Sequence, residues 1–140
     1  MTPNEMKSVV QKNLAATWER RDLDEAFSLT DNGYSYFSPP YPAGENRDAA
    51  RRYMEAVLAA FTETRTILHE IIAEGDTVIV HWTWQAVHSG EFLGIRAGGK
   101  PVQFSRCSVF RFKDGRIAEE WDYGGLFGIL QQLGVLASHS

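Results

Sequence analysis

The sequence is short of several things, and each shortage closes off a class of function. Its 140 residues include one cysteine, Cys107, so an internal disulfide is impossible and a cytoplasmic location is expected. No apolar run approaches the roughly 18 residues that a membrane-spanning helix needs. The opening stretch MTPNEMKSVVQKN is polar and lacks the apolar centre of a secretion signal. Positive charge is in deficit: 14 Lys and Arg stand against 18 Asp and Glu, a net charge of −4. With no basic stripe, neither nucleic acid nor an anionic membrane is an expected partner. There is no Cys/His array of zinc spacing, no His-x-His or Glu-x-x-His pair and no glycine-rich phosphate loop. No metal site is therefore expected.

What is present suits one packed domain spanning residues 1–140, with 44% hydrophobic and 12% aromatic residues to build its core. Thr2-Pro3-Asn4-Glu5 is a capping box with proline at the first helical position. Met6, Val10, Leu14 and Trp18 then recur every four residues, which predicts a helix ending near Arg20 or Arg21. Asp22 caps a second, short helix. Asn32-Gly33 reads as a turn, Tyr34 to Phe37 as a short strand, and the proline-rich Ser38 to Glu45 as a loop. Ala50, Tyr53, Val57 and Phe61 mark a third helix from about Arg47.

From residue 64 the period becomes strand-like. Strands are expected over 64–74, 77–88, 100–112 and 116–123, the last two joined by Asp114-Gly115. A short helix over 126–133 ends at Gly134, and 137–140 reads as a frayed tail. Helices followed by a meander of long strands give an α+β class, with N-terminal helices on a curved antiparallel sheet enclosing a pocket.

Alternation assigns the faces of that sheet. Val78, Val80, Trp82, Trp84, Ala86 and His88 share one. So do Val102, Phe104, Arg106, Ser108, Phe110 and Phe112 in the next strand. An arginine among phenylalanines needs a carboxylate, a ligand or water; a β-bulge that turns Arg106 to solvent is the alternative.

Chemistry concentrates at the end of the last strand. Asp122, between Trp121 and Tyr123, is placed for desolvation, which raises a carboxyl pKa and suits it to proton transfer near neutrality. It can equally cap the helix beginning near Leu126 or turn with Gly124-Gly125. Glu120 shares its face, and two carboxylates in one pocket would repel and raise one pKa. His88 can relay a proton or bind a carbonyl, or be a satisfied strand-end histidine. Tyr34, Tyr36, Tyr41 and Tyr53 can line a pocket with phenols or simply fill the core. Cys107 carries no activating neighbour and reads as an inert thiol.

The stretches His88-Ser89-Gly90-Glu91-Phe92-Leu93-Gly94-Ile95, Gly99-Lys100-Pro101-Val102, Phe110-Arg111-Phe112-Lys113-Asp114-Gly115-Arg116-Ile117, Glu120-Trp121-Asp122 and Gly128-Ile129-Leu130-Gln131-Gln132-Leu133-Gly134 together resemble the SnoaL-like polyketide cyclases. That resemblance implies the nuclear-transport-factor-2-like cone. It also implies a cofactor-independent aldol-type ring closure or isomerisation of a hydrophobic carbonyl compound such as a polyketide. The family's acid/base aspartate matches Asp122, and its motif histidine matches His88. Arg106, Trp82, Trp84, Tyr36, Tyr53, Phe104, Ser108 and Glu120 fall to substrate binding. Two departures stand out: Glu120 replaces the histidine before Trp-Asp, and Gly125 stands where many members carry a second aspartate. An epoxide-type hydrolase using Asp122, Glu120 and Arg106, or a non-catalytic ligand-binding or accessory module, fits the same cone. The outer sheet face, still fairly apolar, is the expected homodimer surface.

Overall fold

A computed structural model describes residues 1–41 and 43–135; the tail read as frayed lies outside them. Helix α1 spans Pro3–Leu14, and its capping box closes as expected. Glu5 N donates to Thr2 Oγ1 (3.1 Å) and Thr2 N to Glu5 Oε1 (2.9 Å). A π-helical turn, Ala15–Glu19, continues it. Residues spaced by four drift around an α-helix; a wider turn slows that drift and returns Trp18 to the stripe. Met6, Val10, Leu14 and Trp18 are all buried.

Helix α2 (Leu23–Ser28) is capped by Asp22, whose side chain accepts from Glu25 N. Strand β1 (Thr30–Phe37) already includes Asn32-Gly33. The expected turn is instead a bulge, visible as a register shift between Thr30 and Ser35. The loop after it yields a two-residue strand, β2 (Glu45–Asn46), that pairs with β1. Asn46 then caps helix α3 (Arg47–Ala60). Strands β3 (Phe61–Glu74), β4 (Thr77–His88), β5 (Pro101–Lys113) and β6 (Arg116–Tyr123) follow, and helix α4 (Gly125–Gln132) comes last.

The strands form one curved, open six-stranded sheet in the order β2-β1-β6-β5-β4-β3. It is mixed: β1 runs parallel to β6, while the other pairs are antiparallel. A parallel neighbour needs a long crossover, and here everything from β2 to β5 separates the pair. The inner face carries Val78, Val80, Trp82, Trp84, Ala86, Val102 and Phe110, all buried under the helices. Trp18 packs edge-on to Trp84 (5.5 Å between ring centroids) and tilted to Trp82 (6.5 Å), joining α1 to the sheet. No helix of the described residues is long and apolar enough to cross a membrane.

Candidate functional site

The register builds the site. Pairing between β4 and β5 is unbroken from Val87↔Pro101 to Thr77↔Arg111, so no bulge diverts Arg106. Trp82 lies opposite Arg106, Val80 opposite Ser108, and Ser108 opposite Asp122. On the far side, Tyr36 lies beside Glu120. Directly paired residues share a face, so these strands deliver Trp82, Arg106, Ser108, Asp122, Glu120 and Tyr36 to one inner patch. A register shift between Arg111 and Phe112 lets β6 place both Ile117 and Glu120 inward.

Asp122 is completely buried, and its oxygens are surrounded by donors. Oδ1 accepts from Arg106 Nε (3.2 Å) and Ser108 Oγ (3.3 Å). Oδ2 accepts from the Tyr36 hydroxyl (2.8 Å) and from Arg106 Nη2. Trp82 Nε1 in turn donates to Ser108 Oγ (3.0 Å). The carboxylate caps no helix. The residue before α4 is Gly124, in a left-handed conformation with no capping side chain, while Leu126 N donates to Ser38 Oγ (3.3 Å).

Arg106 is the partner that makes a buried Asp122 tolerable. Burial opposes its charge most strongly, but the charge and hydrogen bonds of Asp122, together with Tyr36 and Tyr53, raise it overall and favour the cationic guanidinium. Aromatic faces surround it: Cζ lies 4.5 Å from the Trp82 ring centroid and 5.6 to 5.8 Å from those of Trp18, Phe104 and Trp84. Its Nη1 is buried and has no acceptor among the described residues.

Glu120 joins the cluster through Tyr34, whose hydroxyl donates to Oε1 (3.2 Å). Burial, and then the Asp122 charge, push its carboxyl up to about 8 against the opposing pull of Arg106 and the Tyr34 hydrogen bond. Of the carboxyls on this face, Glu120 is the one that burial and its neighbour's charge raise. Burial and then the neighbouring carboxylate charges also raise Tyr34 and Tyr36.

His88 stands apart. Its ring stacks on Phe61 (5.0 Å), Phe61 packs on Trp84 (5.3 Å), and only beyond Trp84 does Arg106 lie. His88 follows Trp82 by roughly 20 Å of strand and makes no hydrogen bond to Asp122; its Nε2 is buried without a partner among the described residues. The geometry therefore does not bring the two residues of the expected catalytic pair together. Cys107 sits half-buried on the outer face, where burial and then the Asp122 charge raise its thiol.

A cavity adjoins the cluster at Tyr36. It has a volume of about 70 Å³ and is lined by Tyr36, Ser38, Tyr41, Tyr53 and Leu126, with Ala43 and Glu45 on its loop side. Tyr36 is common to the cavity and the Asp122 cluster, and Tyr53 packs 6.0 Å from it. Of the four tyrosines expected to line a pocket or fill the core, Tyr36, Tyr41 and Tyr53 line this cavity and Tyr34 is buried against Glu120; Phe104, Trp82 and Trp84 surround Arg106. Ser38, Glu45 and Leu126 carried no sequence signal, because folding of the 38–45 loop and α4 brings them to the mouth. Gly125 closes the roof. A Cβ there would lie 2.6 Å from Asp122 Oδ2 and 2.8 Å from Arg106 Nη2, so the second aspartate common at this place has no room. Among the described residues no His, Cys, Asp and Glu group is arranged to hold a metal.

Known proteins share this architecture. AclR of Streptomyces galilaeus, a presumed hydroxylase, is 29% identical and superposes with a TM-score of 0.85 over 97% of this chain and 100% of its own. A presumed SnoaL-like polyketide cyclase from Jannaschia sp. CCS1 is 17% identical with a TM-score of 0.84, covering 96% and 95% of the two chains. IdmH of Streptomyces antibioticus, a presumed polyketide cyclase, is 23% identical with a TM-score of 0.75, covering 91% and 96%. No curated protein matches the sequence. The sequence pattern of SnoaL-like polyketide cyclases matches residues 8–133, and on that extent the chain belongs to the SnoaL-like polyketide cyclase family.

Proposed function

We propose that the protein is a cofactor-independent acid–base enzyme that cyclises or isomerises a hydrophobic, carbonyl-bearing small molecule such as a polyketide. The observation that carries this reading is a fully buried Asp122 held by Arg106, Ser108 and Tyr36 behind a tyrosine-lined cavity. In this scheme Asp122 takes a proton from the carbon next to the carbonyl. Arg106 Nη1 donates to the oxygen on which the enolate charge collects. The enolate carbon then bonds to a second carbonyl carbon, and Asp122 returns the proton to the new alkoxide; in an isomerisation the proton returns to a different carbon. Tyr36, shared by cavity and cluster, stands where the substrate meets Asp122. Trp82, Trp84 and Phe104 keep the guanidinium dry, which strengthens its hold on developing charge.

The test is proton exchange from D2O into the α-carbons of a panel of hydrophobic ketones and β-keto esters, followed by NMR. Wild type accelerates exchange, and Asp122→Asn reduces it about 100-fold or more. That substitution leaves Arg106 buried without its counter-charge, at a cost of about 3–5 kcal/mol, so circular dichroism must first show a folded variant. Tyr36→Phe, which removes a hydroxyl and no charge, supplies an independent variant that lowers the same rate. A folded Asp122→Asn protein exchanging within a few fold of wild type removes Asp122 as the base.

A second reading, an epoxide-type hydrolase, is favoured by the meeting of Asp122, Glu120 and Arg106 in one cluster; the likeness to AclR, a presumed hydroxylase, adds hydroxylation as an outcome to test. Isotopes separate these readings. Oxygen from labelled water in the product supports a hydrolase, oxygen from labelled O2 a hydroxylase, and neither supports a cyclase or isomerase.

We also infer a homodimer. Ile72 pairs with Ile79, Ile79 with Val109, Val109 with Trp121, and Trp121 with Phe37, an apolar row across the outer face from β3 to β1. Trp121 and Phe37 stack at 4.1 Å, and Ile72 and Ile79 are exposed. A second copy of this chain is the occupant that fits such a row.

A further inference from the structure

The mouth of the cavity has a chemistry that the acid–base reading does not use. Three of its lining side chains are tyrosines, Tyr36, Tyr41 and Tyr53, and among the described residues its lining includes no Lys, Arg or His. Among those residues its one ionisable group besides the phenols is Glu45. That carboxylate has no ion-pair partner among the described residues. Glu45 is placed by pairing with Tyr36 across β1 and β2. Its charge reaches Tyr53, where Glu45 and Tyr41 act in the same direction as Asp122. Arg106 lies behind Tyr36, ion-paired with Asp122; at Tyr53 its charge opposes those of Asp122 and Glu45. An opening whose lining holds three tyrosines and a carboxylate, with the arginine behind it already ion-paired, suits positive charge spread over methyl groups. Aromatic rings attract a cation to their negative faces, and the methyls lose less hydration than a primary ammonium does on entering.

We propose that the Tyr36–Tyr41–Tyr53 mouth with Glu45 binds a tertiary or quaternary ammonium group, so that the small molecule entering this protein carries a methylated amine. This names a substituent of the ligand and rests on the proposed function only for what happens to the rest of that ligand.

The test needs no turnover. Choline and 3,3-dimethyl-1-butanol have the same shape and differ in the charge of one central atom. Each is titrated into the isotopically labelled full-length protein and followed by amide NMR. The proposal expects choline to shift the signals of Tyr36, Tyr53 and Leu126, and to bind at least about tenfold more tightly than its neutral analogue. Glu45 is exposed and Tyr41 lies on a loop, so Glu45→Gln and Tyr41→Ala leave the fold intact while each weakens choline severalfold. Three outcomes overturn the proposal: equal binding of the two probes, which marks the mouth as merely apolar; shifts elsewhere on the protein; or no binding of either. Any of them leaves the role of Asp122 standing. Conversely, unchanged proton exchange in a folded Asp122→Asn protein leaves ammonium binding standing.

Discussion

At Glu120 the proton balance of the site can be measured without a substrate. Unfolded, this carboxyl ionises near 4.5; folded, burial and the neighbouring Asp122 hold its proton up to about 8. Between those values the unfolded chain binds fewer protons, so raising the pH destabilises the fold. The slope is at most about 1.4 kcal/mol per pH unit. The contribution is complete below the unfolded value and is lost as pH rises through the folded one. Glu120→Gln keeps an acceptor for Tyr34 and removes the titration. Urea denaturation from about pH 5 to about pH 8 should show wild type losing stability relative to the variant; parallel profiles would mean that Glu120 is ionised throughout. The pairing of Glu120 with Asp122 was legible in the sequence because alternation is a local rule, and the same rule placed Arg106 and Ser108 among aromatics. His88 shows its limit. Alternation put it on the inner face, where it is, but a motif match says nothing about distance along a long strand, and two aromatic rings separate it from the ion pair. That Glu120 is a raised carboxyl was also out of reach, since it depends on burial and on Arg106 gripping Asp122 instead.

Among the elements, α4 is the one that the ion pair constrains most closely. Gly124 turns the chain in the left-handed region (φ 97°), and Gly125 then passes directly over Asp122 and Arg106. A methyl at residue 125 meets two side chains pinned by their own hydrogen bonds, so neither can retreat cheaply. Gly125→Ala should therefore cost about 1–3 kcal/mol and loosen α4. Gly98→Ala, where the nearest atom to a new Cβ is the flexible Lys100 side chain at 3.9 Å, should be close to neutral. Urea midpoints compare the two, and equal midpoints would show that the roof yields. From the sequence, Gly125 was a departure from the family pattern; the structure supplies a steric reason for it. Helix starts were legible because their caps are local: Thr2, Asp22 and the end of α4 at Gly134 all fell where expected. Asn32-Gly33 misled because the same dipeptide serves turns and bulges, and pairing to β6 decides between them. Strand β2 was invisible at two residues, too short for any period to register.

The whole molecule divides its aromatic residues between two faces of one sheet, and the division separates the proposed chemistry from the proposed assembly. Inside, Trp18, Trp82, Trp84 and Phe104 surround a charge; outside, Trp121 and Phe37 stack in a row ending at exposed isoleucines. The helices-then-strands order made this layering legible, since a sheet with helices on one side leaves its other face to solvent or to a partner. The parallel β1–β6 pair was not legible, because it joins segments from opposite ends of the chain. That pairing is what extends the outer row to Phe37, making the apolar strip wider than the meander alone would. If a second copy covers it, light scattering should give twice the 15.8 kDa chain mass. Ile79 is 41% exposed, so Ile79→Glu leaves each chain folded but places two like charges near the dimer axis. The variant should run at the single-chain mass with unchanged circular dichroism. A wild-type protein that is monomeric at micromolar concentration, or a variant that stays dimeric, would move the interface off this face. The Asp122 cluster lies wholly on the other side of the sheet, so monomeric Ile79→Glu should retain the α-proton exchange of wild type.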